Sequence, residues 1–193
     1  MVREAQKKRS KEIRRMILDT TLQMGIEEGF EAISIRKISD RMGYSTGVIY
    51  YHFKDKQEII EEIHQEANEE INKIIKTVYS PDKNFIENTK GIFHEIMHLA
   101  FYEKEKFNLI ILNKYSKRKE SSKPWQEIIE REMLGAIEKG EIRNLDVKKA
   151  AFCIWSSFLG FHLMLTQEEN IDIQEAEDLF NTMADIMLGS LIK

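Results

Sequence analysis

The stretch from Ser34 to Lys56, S-I-R-K-I-S-D-R-M-G-Y-S-T-G-V-I-Y-Y-H-F-K-D-K, leaves the chain few choices of local fold. Ser34 is a helix-start residue, and Ile35, Ile38 and Met42 follow it at helical spacing. Gly43 predicts the end of that helix, because glycine readily takes the left-handed conformation that a helix C-terminus often requires. Tyr44 fills the turn, and Ser45 is placed to cap a second short helix running through Tyr51. Two short helices around a glycine-containing turn have the sequence shape of a helix-turn-helix, whose second helix lies in the DNA major groove.

The charges fit a phosphate-facing surface. Arg36 and Lys37 occupy the first turn of the first helix, where the macrodipole disfavours cations unless an anion lies nearby. The second helix offers Thr46, Gly47, Tyr50, Tyr51 and His52 outward, with Val48, Ile49 and Phe53 directed inward. Gly47 costs about 1 kcal/mol of helix stability relative to alanine but admits close backbone approach. Asp55 is placed to cap the next helix, with Glu58 three residues on as in a capping box. Lys56, at that helix start, can meet a phosphate attracted by free backbone amides.

Gly43 to Ile59, G-Y-S-T-G-V-I-Y-Y-H-F-K-D-K-Q-E-I, closely resembles the signature of the TetR family. In that signature a run of small residues leads into a Tyr-Tyr-His-Phe block and a Lys-Glu pair. The upstream M-G-I-E-E-G-F-E-A-I-S-I-R-K-I-S matches the end of the family's first helix and the start of its second. The resemblance covers about the first third of the chain and implies DNA contacts at Arg36, Thr46, Tyr50, Tyr51, His52 and Lys56, with Ser45 and Gly47 beside them. Ile35 departs from the pattern: the family often has Thr there, contacting the DNA backbone, whereas isoleucine can only pack.

The resemblance implies an all-α protein of about nine helices. A three-helix DNA-binding domain at 1–55 precedes a ligand-binding and dimerisation domain at 56–193. The implied function is that of a ligand-responsive regulator, foremost a repressor. It would bind a palindromic operator as a homodimer and be released by a small, largely apolar effector.

Composition decides whether a chain of net charge −4 can bind DNA. Residues 1–56 hold 12 Lys and Arg against 8 Asp and Glu, whereas the remainder holds 17 against 25. A basic head on an acidic body is the asymmetry expected when one end faces phosphate. Two prolines and nine glycines among 193 residues favour helices, and no stretch alternates long enough for a buried strand. The single Cys153 excludes an intrachain disulfide. With no signal peptide and no apolar run of membrane-spanning length, the expected location is the cytoplasm, with no membrane partner.

Met1 to Ser10 is polar and basic and is expected to be a frayed arm, followed by a helix from Lys11 to about Glu28. A longer helix from Lys56 to about Tyr79, striped with Ile59, Ile60, Ile63, Ala67 and Ile71 and free of Gly and Pro, is expected to join head and body as a lever. Further helices are expected over Asn84–Tyr102, Lys106–Arg118, Pro124–Lys139, Asp146–Leu165 and Asp172–Ile192, with Ser121, Ser122 and Lys123 in a loop. Asp146–Leu165 is apolar on nearly every side, so one face needs a cover beyond its own domain. Together with Asp172–Ile192 it suggests a four-helix dimer interface at Ser157, Gly160, Phe161, Met164, Phe180, Met183 and Met187.

The body mixes large apolar with semi-polar residues, the usual make-up of a small-molecule cavity. The expected lining is Phe93, Met97, Phe101, Ile111, Tyr115, Trp125, Met133, Trp155, Phe158 and His162, with Asn113 among the nearby polar groups. His94-Glu95-Ile96-Met97-His98 also matches H-E-x-x-H, which places two zinc ligands one helical turn apart with a Glu as general base. No third ligand is fixed by spacing and no sheet flanks the helix. The expectation is therefore no enzyme, no catalytic residues, no cofactor and no metal, with a metal-responsive regulator using His94 and His98, or a zinc-dependent hydrolase, as the alternatives.

Overall fold

A computed structural model describes residues 2–112, 114–115 and 124–192. The expected loop at Ser121, Ser122 and Lys123, the expected helix end at Arg118 and the expected cavity residue Asn113 lie outside the described residues. Among the described residues there are nine α-helices and no strand. The helices are α1 (Val2–Glu28), α2 (Ile35–Met42), α3 (Thr46–His52), α4 (Lys56–Val78), α5 (Phe85–Tyr102), α6 (Lys104–Ile110), α7 (Pro124–Glu138), α8 (Val147–Leu165) and α9 (Ile173–Gly189). A 3₁₀ turn, Phe30–Ala32, follows α1.

The chain forms two compact units: Met1–Glu70 with Glu105–Lys119, and Ile71–Lys104 with Glu120–Lys193. This grouping by packing does not follow the 55/56 boundary, because most of α4 belongs to the first unit. Arg14 of α1 makes a bidentate ion pair with Glu62 of α4, and its guanidinium lies 4.4 Å from the centre of the Phe53 ring. Arg15 pairs with Glu66 at 2.7 Å one turn farther along. Ile17, Leu18, Met24, Phe30, Ile38, Ile49, Phe53, Ile59 and Ile63 supply the buried apolar surface of this unit.

Gly25 lets that core close, since a Cβ there would lie only 2.4 Å from Cζ of the buried Phe30 ring. The expected frayed arm is helical from Val2 onward. Its Arg, Lys, Glu, Ala and Gln residues are good helix formers, so the exposed turns extend α1 without a core to face. Residues after α6 also belong to the first unit: the Tyr115 ring lies 5.2 Å from that of Phe30, and the Tyr115 carbonyl accepts from Gln57 Nε2 at 2.9 Å.

In the second unit α7 and α5 pack on α8, and α9 packs on both α8 and α5. The starts of α5, α8 and α9 are fixed locally. Asn84 and Glu87 form a reciprocal capping box at α5, while the side chains of Asp146 and Asp172 accept from backbone amides of α8 and α9. Phe93, Met97, Phe107, Met133, Phe158 and Phe180 are all buried, Phe107 within the first unit and the others in the core of the second. No helix among the described residues is long and apolar enough to cross a membrane.

Candidate functional site

The helix-turn-helix is built as its residues require. Ser34 Oγ accepts from the amide of Lys37 at 3.2 Å, and Gly43 ends α2 at φ 70°. Ser45 precedes α3 in an extended conformation, but its side chain makes no capping bond; its carbonyl accepts from Val48 instead. Ile49 is fully buried and Val48 partly so, leaving Tyr50 and Tyr51 57% and 79% exposed. Thr46 and Gly47 are exposed beside them, and the Arg36 side chain is 87% exposed with only a 3.9 Å approach to Asp40. His52 is partly covered, and burial with the nearby Arg14 charge holds its pKa below the usual histidine value.

Lys56 is placed differently from the sequence expectation. Its Nζ donates to the carbonyl of Ile33 at 2.9 Å and lies 3.4 and 3.5 Å from those of Phe30 and Glu31. The ammonium thus satisfies carbonyls left open by the 3₁₀ turn. Asp55 caps the amide of Glu58 at 2.9 Å, and Glu58 reaches back to the amide of Lys54 at 2.6 Å. Arg14, which braces α1, α4 and the residue after α3 together, gave no sequence signal.

In the second unit a cavity of about 400 Å³ opens between the end of α4, the first half of α5 and α7. Ile75, Tyr79, Ile92, Phe93, Trp125, Ile128 and Ile129 give it apolar walls, and Lys76, Arg131 and Glu132 add charge. Of the ten expected lining residues, Phe93 and Trp125 are present. Trp155 stacks on Trp125 at 5.7 Å and 7°, one layer behind. Met97, Met133, Phe158 and His162 are core residues, and Phe101 is half-buried near the end of α5 against Tyr102.

Ile111 and Tyr115 belong to the first unit. There burial and a 2.7 Å hydrogen bond to Glu105 push the Tyr115 hydroxyl pKa up. The expected residues outside this cavity are large side chains that the structure places in packing. The contributions of α4 and of Arg131 were missed because they depend on how helices meet. His162 lies between the carbonyls of Phe93 (3.0 Å from Nε2) and Phe158, and burial pushes its pKa down to about 4.

The outer faces of α8 and α9 form an apolar groove of about 740 Å³ that includes Ser157, Phe161, Met164, Leu179, Met183, Ile186 and Met187. Met164 and Ile186 are each 68% exposed. A Cβ at Gly160 would meet nothing within 4 Å. Phe180 is not on this face: it is fully buried among Phe158, Phe161 and the rings of His94 and His162. The helical stripe of α9 is wide enough to face inward and outward, and Phe180 lies on its inner side.

His94 and His98 face α9, where Glu177 Oε1 lies 3.8 and 3.4 Å from their respective Nε2 atoms. Burial and the neighbouring His98 keep the His94 pKa below the usual value.

Residues 17–63 match the family model described as bacterial regulatory proteins, tetR family. The HTH-type transcriptional repressor KstR2 of Mycolicibacterium smegmatis is 26% identical over 126 residues, a match spanning 59% of this chain and 62% of that repressor's length. The structure of the ketosteroid transcriptional regulator KstR2 of Mycobacterium tuberculosis has a TM-score of 0.67 at 20% identity, covering 93% of this chain and 95% of that one. The structure of AibR in complex with isovaleryl coenzyme A and operator DNA has a TM-score of 0.69 at 19% identity, covering 90% and 96% respectively. The helix-turn-helix head thus carries the DNA-binding segment of the tetR family of bacterial regulatory proteins, and the helical fold of the chain is shared with these regulators.

Proposed function

We propose that the protein is a ligand-responsive repressor that binds a palindromic operator as a homodimer and is released by a small, largely apolar effector. The observation that carries this reading is the pairing of two features in one chain. An outward recognition helix is held on a braced three-helix head, and an apolar cavity of about 400 Å³ lies in the second unit. Such a volume suits a small organic ligand, and Lys76 with the paired Arg131 and Glu132 favours one with an apolar body and a polar end. AibR, similar in fold, has been seen with an acyl coenzyme A and with operator DNA.

Arg36, Ser45, Thr46, Gly47, Tyr50 and Tyr51 make the DNA-facing surface in this proposal, with His52 at its edge and Lys56 supporting the turn behind it. The groove on α8 and α9 is covered by the same face of a second copy, with Ser157, Gly160, Phe161, Met164, Met183 and Met187 near the twofold axis. The protein acts in the cytoplasm, where its operator is, and it is not an enzyme. Neither the fold nor the relatives favour a zinc hydrolase or a metal-responsive regulator over this reading.

Fluorescence anisotropy on operator DNA tests the proposal. The dimer is expected to bind an inverted repeat with half-sites about one helical turn apart. Tyr50→Ala is expected to weaken operator binding more than binding to random DNA. Equal losses on both DNAs would remove Tyr50 from sequence readout.

A further inference from the structure

We propose that His94, His98 and Glu177 form a binding site for a divalent transition-metal ion of the zinc type, holding α5 to α9. The site is independent of the effector cavity, since none of the three residues lines it. His94 and His98 stand four residues apart on α5, so their imidazoles share one helix face, with ring centres 4.6 Å apart. Spacing alone leaves such a pair without a third ligand. The fold supplies one from α9, and a single carboxylate oxygen, Glu177 Oε1, faces both rings at 3.4 and 3.8 Å.

Those separations are close to a metal's demands. Ligand atoms about 2.0–2.1 Å from a tetrahedral zinc lie about 3.3–3.4 Å from one another. One ligand atom from each of the three residues can be chosen so that all lie within 4.8 Å of each other, so the ion needs only small side-chain rotations. Each side chain is 34% exposed, which gives an ion an entry path and leaves its remaining positions to water.

The chemistry of the donors narrows the ion. Two imidazoles and one carboxylate suit zinc, cobalt, nickel or copper, whereas magnesium and calcium require mostly oxygen. The walls are aromatic: the Phe180 ring lies edge-on to His94 at 5.4 Å, and the Tyr102 ring lies 5.8 Å from His98. Lys90, one turn before His94, is committed to Asp185 of α9 at 2.8 Å, so its charge is partly neutralised beside the site. A plain His–Glu ion pair would also join the helices, but it gives no reason for two imidazoles to converge on one oxygen.

The test uses untagged full-length protein, treated with chelator and dialysed. It is titrated with Co²⁺ and followed by visible ligand-field absorption, and then Zn²⁺ is added in competition. One Co²⁺ per chain, displaced by Zn²⁺, is expected. Glu177→Gln keeps the shape but removes the charge, and is expected to weaken binding at least about tenfold, the minimum seen when even outer partners of a metal site are lost. His94→Gln with His98→Gln is expected to abolish saturable binding, while His52→Gln leaves it unchanged. Wild-type protein without saturable binding below about 1 mM overturns the proposal. So does an affinity unaltered in Glu177→Gln, whose circular dichroism also checks the fold. Neither result bears on operator binding, which is measured separately.

Discussion

Replacing Lys56 by methionine separates two roles that the same residue could play. The structure directs its ammonium at carbonyls of the 3₁₀ turn, with one short bond of 2.9 Å to Ile33 and two longer approaches. A hydrogen bond to a charged group contributes about 1.5–3 kcal/mol, but Lys56 is only half-buried, so water replaces part of it. A cation at the start of α4 also opposes the helix dipole, and its removal returns about 0.3–1 kcal/mol. The expected net loss is about 1–2 kcal/mol, or a fall in Tm of about 2–8 °C for a chain of this size. Methionine keeps the stem's length and packing, so the loss reports the ammonium. Thermal unfolding followed by circular dichroism gives the stability, and operator binding at several salt concentrations gives the phosphate contribution. The expected result is a lower Tm with an unchanged slope of log affinity against log salt. A slope reduced by about 0.9 with Tm unaltered would show that Lys56 neutralises a phosphate, and would refute its role as a partner of the turn carbonyls.

Three other outcomes follow from the geometry. His162, with its pKa pushed down to about 4, stays neutral in the fold while the unfolded chain binds a proton below about 6.5, so stability is full above that value and falls as pH drops to about 4. The His162 contribution over that window is expected to be about 3 kcal/mol, and pH-dependent urea unfolding should show a clearly weaker dependence in His162→Gln than in wild type, with the remainder left to groups such as His52 and His94. Gly160→Trp is expected to fold, because its Cβ meets open space within the chain, but to sediment as a monomer with poor operator affinity; a dimer at micromolar concentration would move the interface elsewhere. Inserting Gly-Gly after Asn68, just before α4 passes from the first unit to the second, is expected to leave DNA and effector binding intact while abolishing their mutual effect, as measured by operator titrations with and without effector.

The head was legible because its determinants are local. Ser34, Gly43 and the Asp55–Glu58 pair act on neighbours within a few residues, so the spacing of residue types alone places α2, α3 and the start of α4. What escaped was tertiary. Gly25 reads as an ordinary helix residue until Phe30 folds back on it, and Arg14 as one more basic residue until Glu62 and Phe53 arrive. Lys56 has a second partner that the sequence did not show: a cation at a helix start invites a phosphate, but its ammonium also reaches the carbonyls of Phe30, Glu31 and Ile33.

In the body the helices were legible and the partition of their apolar residues was not. Hydrophobic period says which face of a helix avoids water, but not whether it meets a core, a cavity or a second copy. Phe180 and Met183 stand three residues apart on α9, yet Phe180 fills the core and Met183 opens on the outer groove. Trp125 lines the cavity while Trp155, equally large, backs it. The H-E-x-x-H run shows the same limit from the polar side. Two histidines at helical spacing recur in ordinary helices, and only a third donor turns them into a candidate site. Glu177 is that donor, and it lies on α9, far along the chain from α5. Its arrival opposite both imidazoles depends on the α5–α9 packing, in which buried residues of α9 such as Ala176 and Phe180 take part and which no feature of the motif itself sets.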